Sequence, residues 1–424
     1  MALVVLIGCF VLFLIIGLPI AFNMILSSTM YLLVGGYPQI LVVQRMFEGM
    51  NGFSLLAVPF FVLTGQFMLK GHLLEALVDL VNGFFGHVRG ALAIVTIGVS
   101  LFMGAIVGLA LAEVASLGSF LIPMMKQEKY PPAFCSAVMA TASLLGPIMP
   151  PSVLMIIYCV SVGRTSIAGI FLASIIPAFL IAIAQMLIVH RIAVKRGYPA
   201  HERVPWPDKW RRLRRALPAL LLPIIILGGI FGGVFTVTES SAIAAVYAFC
   251  ITFFVYKEGK LSDIPEMLKE TALTSGLVIL LAGSATVTAW AIANEQVVYK
   301  VIGPLSAFPQ WTFLLMVNVA LIINGMFMDD YASVVVWGPI IAPIAWKLGV
   351  DPLQIGAIIC INLVIGLVTP PFGITLFATS PMAGVTVEQT FKEALPMVVV
   401  SITVLFFVTY YPPLTLWLPR LCGY

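Results

Sequence analysis

Twice in this chain, 220 residues apart, a long apolar run is interrupted by two adjacent prolines: GPIMPPS at Gly146–Ser152 and GLVTPPFG at Gly366–Gly373. An interior proline removes a backbone donor and clashes with an earlier carbonyl, at a cost of about 3 kcal/mol, so two together break a helix. Carbonyls released in this way cannot face hydrocarbon and must line protein or a hydrated cavity, where a sodium ion is a suitable partner. The surrounding runs are of membrane length. Ala91 to Met125, Ala133 to Cys159, Ile167 to Val189, Leu273 to Ala293, Ile355 to Phe377 and others imply ten or more membrane-embedded segments. With 61% apolar and only 9% charged residues, against about 25% charged in a soluble domain, water could not keep this chain dispersed. Its longest polar stretch, Arg191–Arg215, is too short for a soluble domain. Four histidines and few charges, with no pair at metal-ligand spacing, leave little for acid–base or transition-metal chemistry. The expectation is solute movement and no enzyme activity; the missing G-x-x-x-x-G-K-[ST] loop agrees with transport independent of ATP.

Nine of the 22 basic residues fall between Arg191 and Arg215, which the positive-inside rule puts in the cytoplasm. Trp206, Trp210, Leu213 and Leu217 share one helical face there and Arg211, Arg212, Arg214 and Arg215 the other, the pattern of a helix on anionic headgroups, bracketed by Pro205, Pro207 and Pro218. A merely solvated connector is the plainer reading. Lys257–Lys269 is a second loop on the same side, two crossings later. The uncharged N-terminal run has no basic leader region and reads as retained. It is too long for one straight span, and Gly17 with Pro19 allows one bent helix or two short ones. The six cysteines form no C-x-x-C pair, so no disulfides are expected. His72 and His87 read as span-end residues, and His190 and His201 as loop residues.

The two breaks belong to a longer repeat. At the same offset Gly118 matches Gly338, Pro123 Pro343, Pro132 Pro352, Gly146 Gly366, and Pro150 and Pro151 match Pro370 and Pro371. These residues set backbone shape, so each half is expected to hold a paired segment with a turn, followed by a broken span. Secondary transporters use such pairs of discontinuous helices to hold substrate and ions near the midplane.

The segments before the breaks, GAIVGLALAEVASLGS at Gly104–Ser119 and NGMFMDDYASVVVWGP at Asn324–Pro339, carry acid in apolar surroundings. A carboxylate at the bilayer centre costs about 2.5–3.5 kcal/mol on insertion scales, so Glu113, Asp329 and Asp330 need partners: sodium, helix N-termini, hydroxyls or substrate-linked water. An interfacial or capping carboxylate is the structural alternative. Gly104, Gly108 and Ala112, spaced by four, equally suit helix packing. Gly228–Tyr247 reads as a helix-turn-helix corner with Glu239 near the second helix's N-terminus.

Through these motifs, with GLPIAF at Gly17–Phe22, GGIFGGVFTVTES, GMFMDD and IGLVTPPFG, nearly the whole chain resembles the large membrane subunit (M type) of the tripartite ATP-independent periplasmic (TRAP) transporters. The resemblance implies an all-α polytopic protein of the bacterial inner membrane, with two inverted repeats of helical hairpins and broken helices. It also implies sodium-coupled import of an organic anion by an elevator mechanism, with a small membrane subunit (Q type) and a periplasmic substrate-binding protein (P type) as partners. No cofactor besides the coupling Na+ and no nucleic acid is implied. The corresponding division is 1–90 scaffold helices, 91–190 first transport repeat, 191–270 basic loop with scaffold or arm helices, and 271–424 second repeat with a C-terminal scaffold helix. Sodium would sit where each hairpin meets its break, at Gly104, Gly108, Gly146, Met149 and Pro150, and at Asn324, Gly325, Asp329, Gly366, Thr369 and Pro370. Val107, Glu113, Asp330 and Ser333 would meet substrate. The first hairpin departs from the family pattern: Val107-Gly108-Leu109 stands where many relatives have Ser-Gly-Ser, and Glu113 where they have Asp, so two hydroxyl ligands are missing. Two other readings stand beside this one, a self-sufficient sodium:dicarboxylate-type elevator carrier and a membrane scaffold or enzyme whose broken helices hold something other than transported ions.

Overall fold

A computed structural model describes residues 2–69, 73–200, 204–257, 259–296 and 309–424, and its regular elements are all helical. His72, His201 and Glu258 lie outside the described residues. The N-terminal run is two helices: α1 (Ala2–Ile15) and α2 (Ile20–Gly35) pack side by side, with Gly17 at φ +83° in the turn and Pro19 at the start of α2. A 57° bend separates α3 (Ile40–Met50) from the segment containing α4 (Ala57–Leu69), and α5 (Leu73–Phe85) follows. Next come a hairpin, α6 (Ala91–Val107) and α7 (Ala110–Gln127), and a broken span, α8 (Pro132–Ala142) and α9 (Leu145–Ile148), bent 46° from α10 (Val153–Val162). The long α11 (Ile167–Arg196) ends this half.

The second half runs through α12 (Trp206–Phe231), α13 (Val237–Cys250), α14 (Ile264–Asn294), a hairpin of α15 (Gln310–Gly325) and α16 (Asp330–Lys347), a broken span of α17 (Pro352–Gly366) and α18 (Ile374–Ala383), then α19 (Val387–Tyr410) and α20 (Pro413–Leu421). The repeat is visible element by element. Shifting α7 by 220 residues gives the bounds of α16, and both α8 and α17 open on a proline, where a missing N–H costs nothing. Behind them α11 is capped by Ser166 and α19 by Thr386, also 220 apart.

The broken spans form the centre of the molecule. Every residue from Phe134 to Cys159 and from Gln354 to Val368 is buried, which explains why these segments are apolar on all sides. Polar groups inside this core bond one another: Gln185 Nε2 donates to Ser401 Oγ of the other half at 3.1 Å and to the Thr141 carbonyl of its own half at 3.2 Å, and within the second half Asn318 Nδ2 donates to Thr409 Oγ1 at 3.0 Å. The outer helices interlock the repeats, α13 lying on α4, and α14 on α2 and α3. Among the described residues five helices are long and apolar enough to cross a membrane, or up to seven spans if each bent pair is one. Large apolar side chains such as Ile15, Leu187 and Ile224 point outward, the surface of a multi-pass membrane protein.

Pro218 does not end the amphipathic helix as its sequence implied. Instead α12 runs through Pro218 and Pro223 to Phe231. Tyr247 Oη, donating to the Pro218 carbonyl at 2.9 Å, and Tyr256 Oη, donating to that of Arg215 at 2.6 Å, hold this stretch against α13 and the turn after it. The expected corner is present: Gly233 takes φ +66°, and Thr236 and Glu239 cap α13 reciprocally.

Candidate functional site

In the first hairpin, Gly108 at φ +65° turns the chain and its N–H bonds the Gly104 carbonyl at 3.1 Å. The tip lies against the first break. A Cβ on Gly104 would come within 2.8 Å of the Leu145 carbonyl oxygen and 2.9 Å of Gly146 Cα, and one on Gly108 within 3.0 Å of the Pro151 carbonyl oxygen. Only glycine permits that approach. The second hairpin repeats the arrangement, with a Cβ on Gly325 meeting Gly366 Cα at 2.9 Å, and Phe372 N–H donating to the Met326 carbonyl at 3.3 Å.

Both Pro-Pro bonds, Pro150–Pro151 and Pro370–Pro371, are cis. At the first break Ser152 caps α10, accepting from Met155 N–H and donating to the Pro147 carbonyl at 2.5 Å. At the second, Thr369 Oγ1 donates to the Ile365 carbonyl at 3.0 Å, and Thr375 bonds the Leu367 carbonyl through both N–H and hydroxyl. Met149–Ser152 is sealed in the core, whereas Thr369 and Pro370 are half-buried and Pro371 and Phe372 exposed.

Between the hairpin tips lies a cavity of about 240 Å³, lined by Leu109–Ala112, Asp329–Tyr331, Leu367, Ile374, Thr375 and Thr274 of α14. It meets the N-termini of α7, α16 and α18. The start of α16 is capped by Asp329, whose carboxylate accepts from Tyr331 N–H at 3.2 Å, while Asp330 Oδ1 accepts from the same N–H at 3.1 Å. The starts of α7 and α18 have no side-chain cap. The first N–H groups of α7 and the positive ends of both helix dipoles make this a place for an anion, next to two carboxylates suited to a cation; at α18 the N–H groups of Thr375 and Leu376 already bond the Leu367 and Gly373 carbonyls.

Of the residues singled out in the sequence, Gly104, Gly108, Gly146, Met149 and Pro150 gather where the first hairpin meets its break, and Gly325, Gly366, Thr369 and Pro370 at the second. Asp329 and Asp330 line the cavity between the tips. Asn324 has its side chain engaged inside its own hairpin, donating to Ser333 Oγ at 2.6 Å and accepting from Trp337 Nε1 at 2.8 Å, which turns Ser333 away from the cavity too. Val107 packs against Gly65 of α4. Glu113 is fully buried and faces Gly146, where an added Cβ would lie 3.1 Å from its Oε2, and among the described residues neither carboxylate oxygen has a hydrogen-bond partner. The sequence reading missed Thr375 and Ile374, although they directly follow the GLVTPPFG motif, and Thr274, one of several hydroxyl residues along α14 that nothing in the sequence sets apart from the others.

A family model described as "Tripartite ATP-independent periplasmic transporter, DctM component" matches residues 7–414. Among curated proteins, the C4-dicarboxylate TRAP transporter large permease protein DctM of Pseudomonas aeruginosa is 37% identical over 89% of this chain and 89% of its own length. The sialic acid TRAP transporter large permease protein SiaM of Vibrio cholerae is 35% identical, over 96% and 95%. Among solved structures, the Alcanivorax borkumensis YdaH transporter superposes with a TM-score of 0.61 at 18% identity, covering 88% of each chain, a likeness of fold.

Proposed function

Because the chain belongs to the DctM component family of tripartite ATP-independent periplasmic transporters, we propose that it is the large membrane subunit of a sodium-coupled importer of a small organic anion, working by an elevator movement. Family membership supports transport of an organic anion, and the names of the relatives, which carry C4-dicarboxylates and sialic acid, share a carboxylate. The observation that carries the reading is the cavity between the hairpin tips, where the uncapped starts of α7 and α18 face the carboxylates of Asp329 and Asp330. The N–H groups at the start of α7, helped by the dipole of α18, hold the substrate carboxylate and the acids hold sodium, so neither charge enters the protein alone. At about 240 Å³ the cavity is smaller than the ~300–1,000 Å³ of drug-sized pockets, which suits a small acid.

Energy comes from the ion gradient. One positive charge moving inward gains about 2.3 kcal/mol per 100 mV, so carrying more sodium charge than anion charge draws on the voltage as well as the gradient. The hairpins and broken spans, with α11 packed on them, move as one body, since each tip is locked to its break by glycine contacts, while α4 and α12–α14 with their lipid-facing sides supply the frame. A small membrane subunit packs against that frame and a periplasmic binding protein delivers substrate to the outer face of the cytoplasmic membrane.

The test is uptake into proteoliposomes containing this chain and its small subunit, with candidate dicarboxylates and sugar acids. Uptake that needs both an inward sodium gradient and the binding protein is expected. Sodium-dependent uptake without the binding protein would replace this reading with a self-sufficient carrier, and uptake indifferent to sodium would remove the coupling.

A further inference from the structure

Away from the hairpin tips, α5, α6, α11 and α12 enclose a groove of about 420 Å³ whose exposed lining is apolar throughout, with Phe84, Phe102, Phe179, Ile183, Leu213 and Leu220 among its walls. Its rim is formed by the basic start of α12. Lys209 precedes Leu213 by one helical turn on the stripe that continues to Leu220, so it stands at the end of the groove. Its ammonium lies 5.3 Å from the centroid of the Phe84 ring, itself a groove wall, and 5.6 Å from that of Trp206. Arg212, three residues on, has its side-chain stem against Gly83 and donates to the Asp79 carbonyl at 3.0 Å.

The nearby acids are engaged elsewhere: Asp79 Oδ2 is 3.5 Å from Arg215, and Asp208 Oδ1 is 3.2 Å from Arg211. Five cations against one acid over Trp206–Arg215 leave this end of the groove positive, and the same basic segment sets it at the cytoplasmic leaflet.

We propose that this groove holds one acyl chain of an anionic phospholipid, its phosphate seated between Lys209 and Arg212. A tail gains little by exchanging bilayer for apolar protein, so the groove supplies the place and the two cations supply the choice of headgroup. Bound there, the lipid fills the seam between α5 and α12 on one side and the hairpin arm α6 with α11 on the other.

Native mass spectrometry of the delipidated full-length chain, titrated with dioleoyl phosphatidylglycerol or dioleoyl phosphatidylcholine, tests this. One phosphatidylglycerol should be retained at least about five-fold more tightly than phosphatidylcholine, and Lys209→Ala and Arg212→Ala should each weaken it by about five-fold. Lys209→Arg should keep it. Arg211→Ala, which removes the same charge from the Asp208 pair on the exposed face, should leave retention unchanged, and Ile183→Trp, which fills the groove, should lower retention of both lipids. Equal retention of the two lipids, or an Arg211→Ala loss as large as that of Lys209→Ala, would overturn the proposal, as would a helix of the small subunit occupying the groove in a structure of the complex.

Discussion

Glu113 is the residue whose surroundings ask most of it. It is buried with no hydrogen-bond partner for either oxygen among the described residues, and it faces the backbone of the first break at Gly146. With the proposed function extended to the first break, this carboxylate takes the ion contact that the absent hydroxyls at Val107 and Leu109 leave, in place of the substrate contact that the family resemblance implied. Glu113→Gln keeps the shape and removes the charge, so the sodium concentration for half-maximal uptake should rise about ten-fold, equivalent to about 1.4 kcal/mol. An unchanged sodium dependence would detach Glu113 from the ion. Gly366 makes the opposite kind of demand, since a Cβ there would meet Gly325 Cα at 2.5 Å. Gly366→Ala should cost about 1–3 kcal/mol of stability by overpacking, read as a lowered thermal midpoint in detergent. The sequence pointed to both residues, because an acid in an apolar run and a repeated glycine are anomalies. It could not indicate that Asn324 and Ser333 bond each other, because that pairing needs the turn geometry of the hairpin.

Among the elements, helix ends decide what the cavity can hold. Asp329 both caps α16 and presents a carboxylate, and two substitutions separate these roles. Asp329→Asn keeps a capping side chain and should lose sodium dependence with little change in thermal stability, while Asp329→Ala should lose about 0.5–2 kcal/mol of stability in addition. Equal thermal midpoints for the two variants would show that the cap contributes nothing. In α12 the tyrosine hydroxyls at 247 and 256 sustain the helix past Pro218, and Tyr247→Phe should cost about 0.5–1.5 kcal/mol in chemical unfolding. Proline positions located the broken spans from sequence alone, since two adjacent prolines break the helix even where hydroxyls take up the freed carbonyls, as Ser152 does for Pro147 and Thr375 for Leu367. The same rule misplaced the end of α12, a helix with single prolines that is held by partners from α13 and the turn after it. Local propensity is legible in one sequence; the side chain that rescues a carbonyl from another helix is not.

On the scale of the whole molecule the repeat was legible because glycine and proline at fixed offsets record backbone shape, and the structure carries that correspondence beyond the six identities to matching helix bounds and caps. The interlocking of the halves left no such mark, since the apolar packing of α13 on α4 looks like any other and the hydrogen bonds between α14 and α2, Ser28 to Thr288 at 3.0 Å and Asn294 Nδ2 to Tyr31 Oη at 2.8 Å, join residues far apart in the chain. The elevator reading makes a demand on one of the contacts between body and frame: Val107 of the first hairpin touches Gly65 of α4, where an added Cβ would lie 3.4 Å from Val107 Cα. That spacing is within reach of a disulfide. The most direct measurement is therefore sodium-driven anion uptake by a Gly65→Cys, Val107→Cys variant, with the exposed Cys250 and Cys422 replaced by serine. Oxidation should bring uptake to background and reduction should restore it, because the hairpin can no longer leave α4. Undiminished uptake with the cross-link fully formed would contradict movement of the hairpin against its frame.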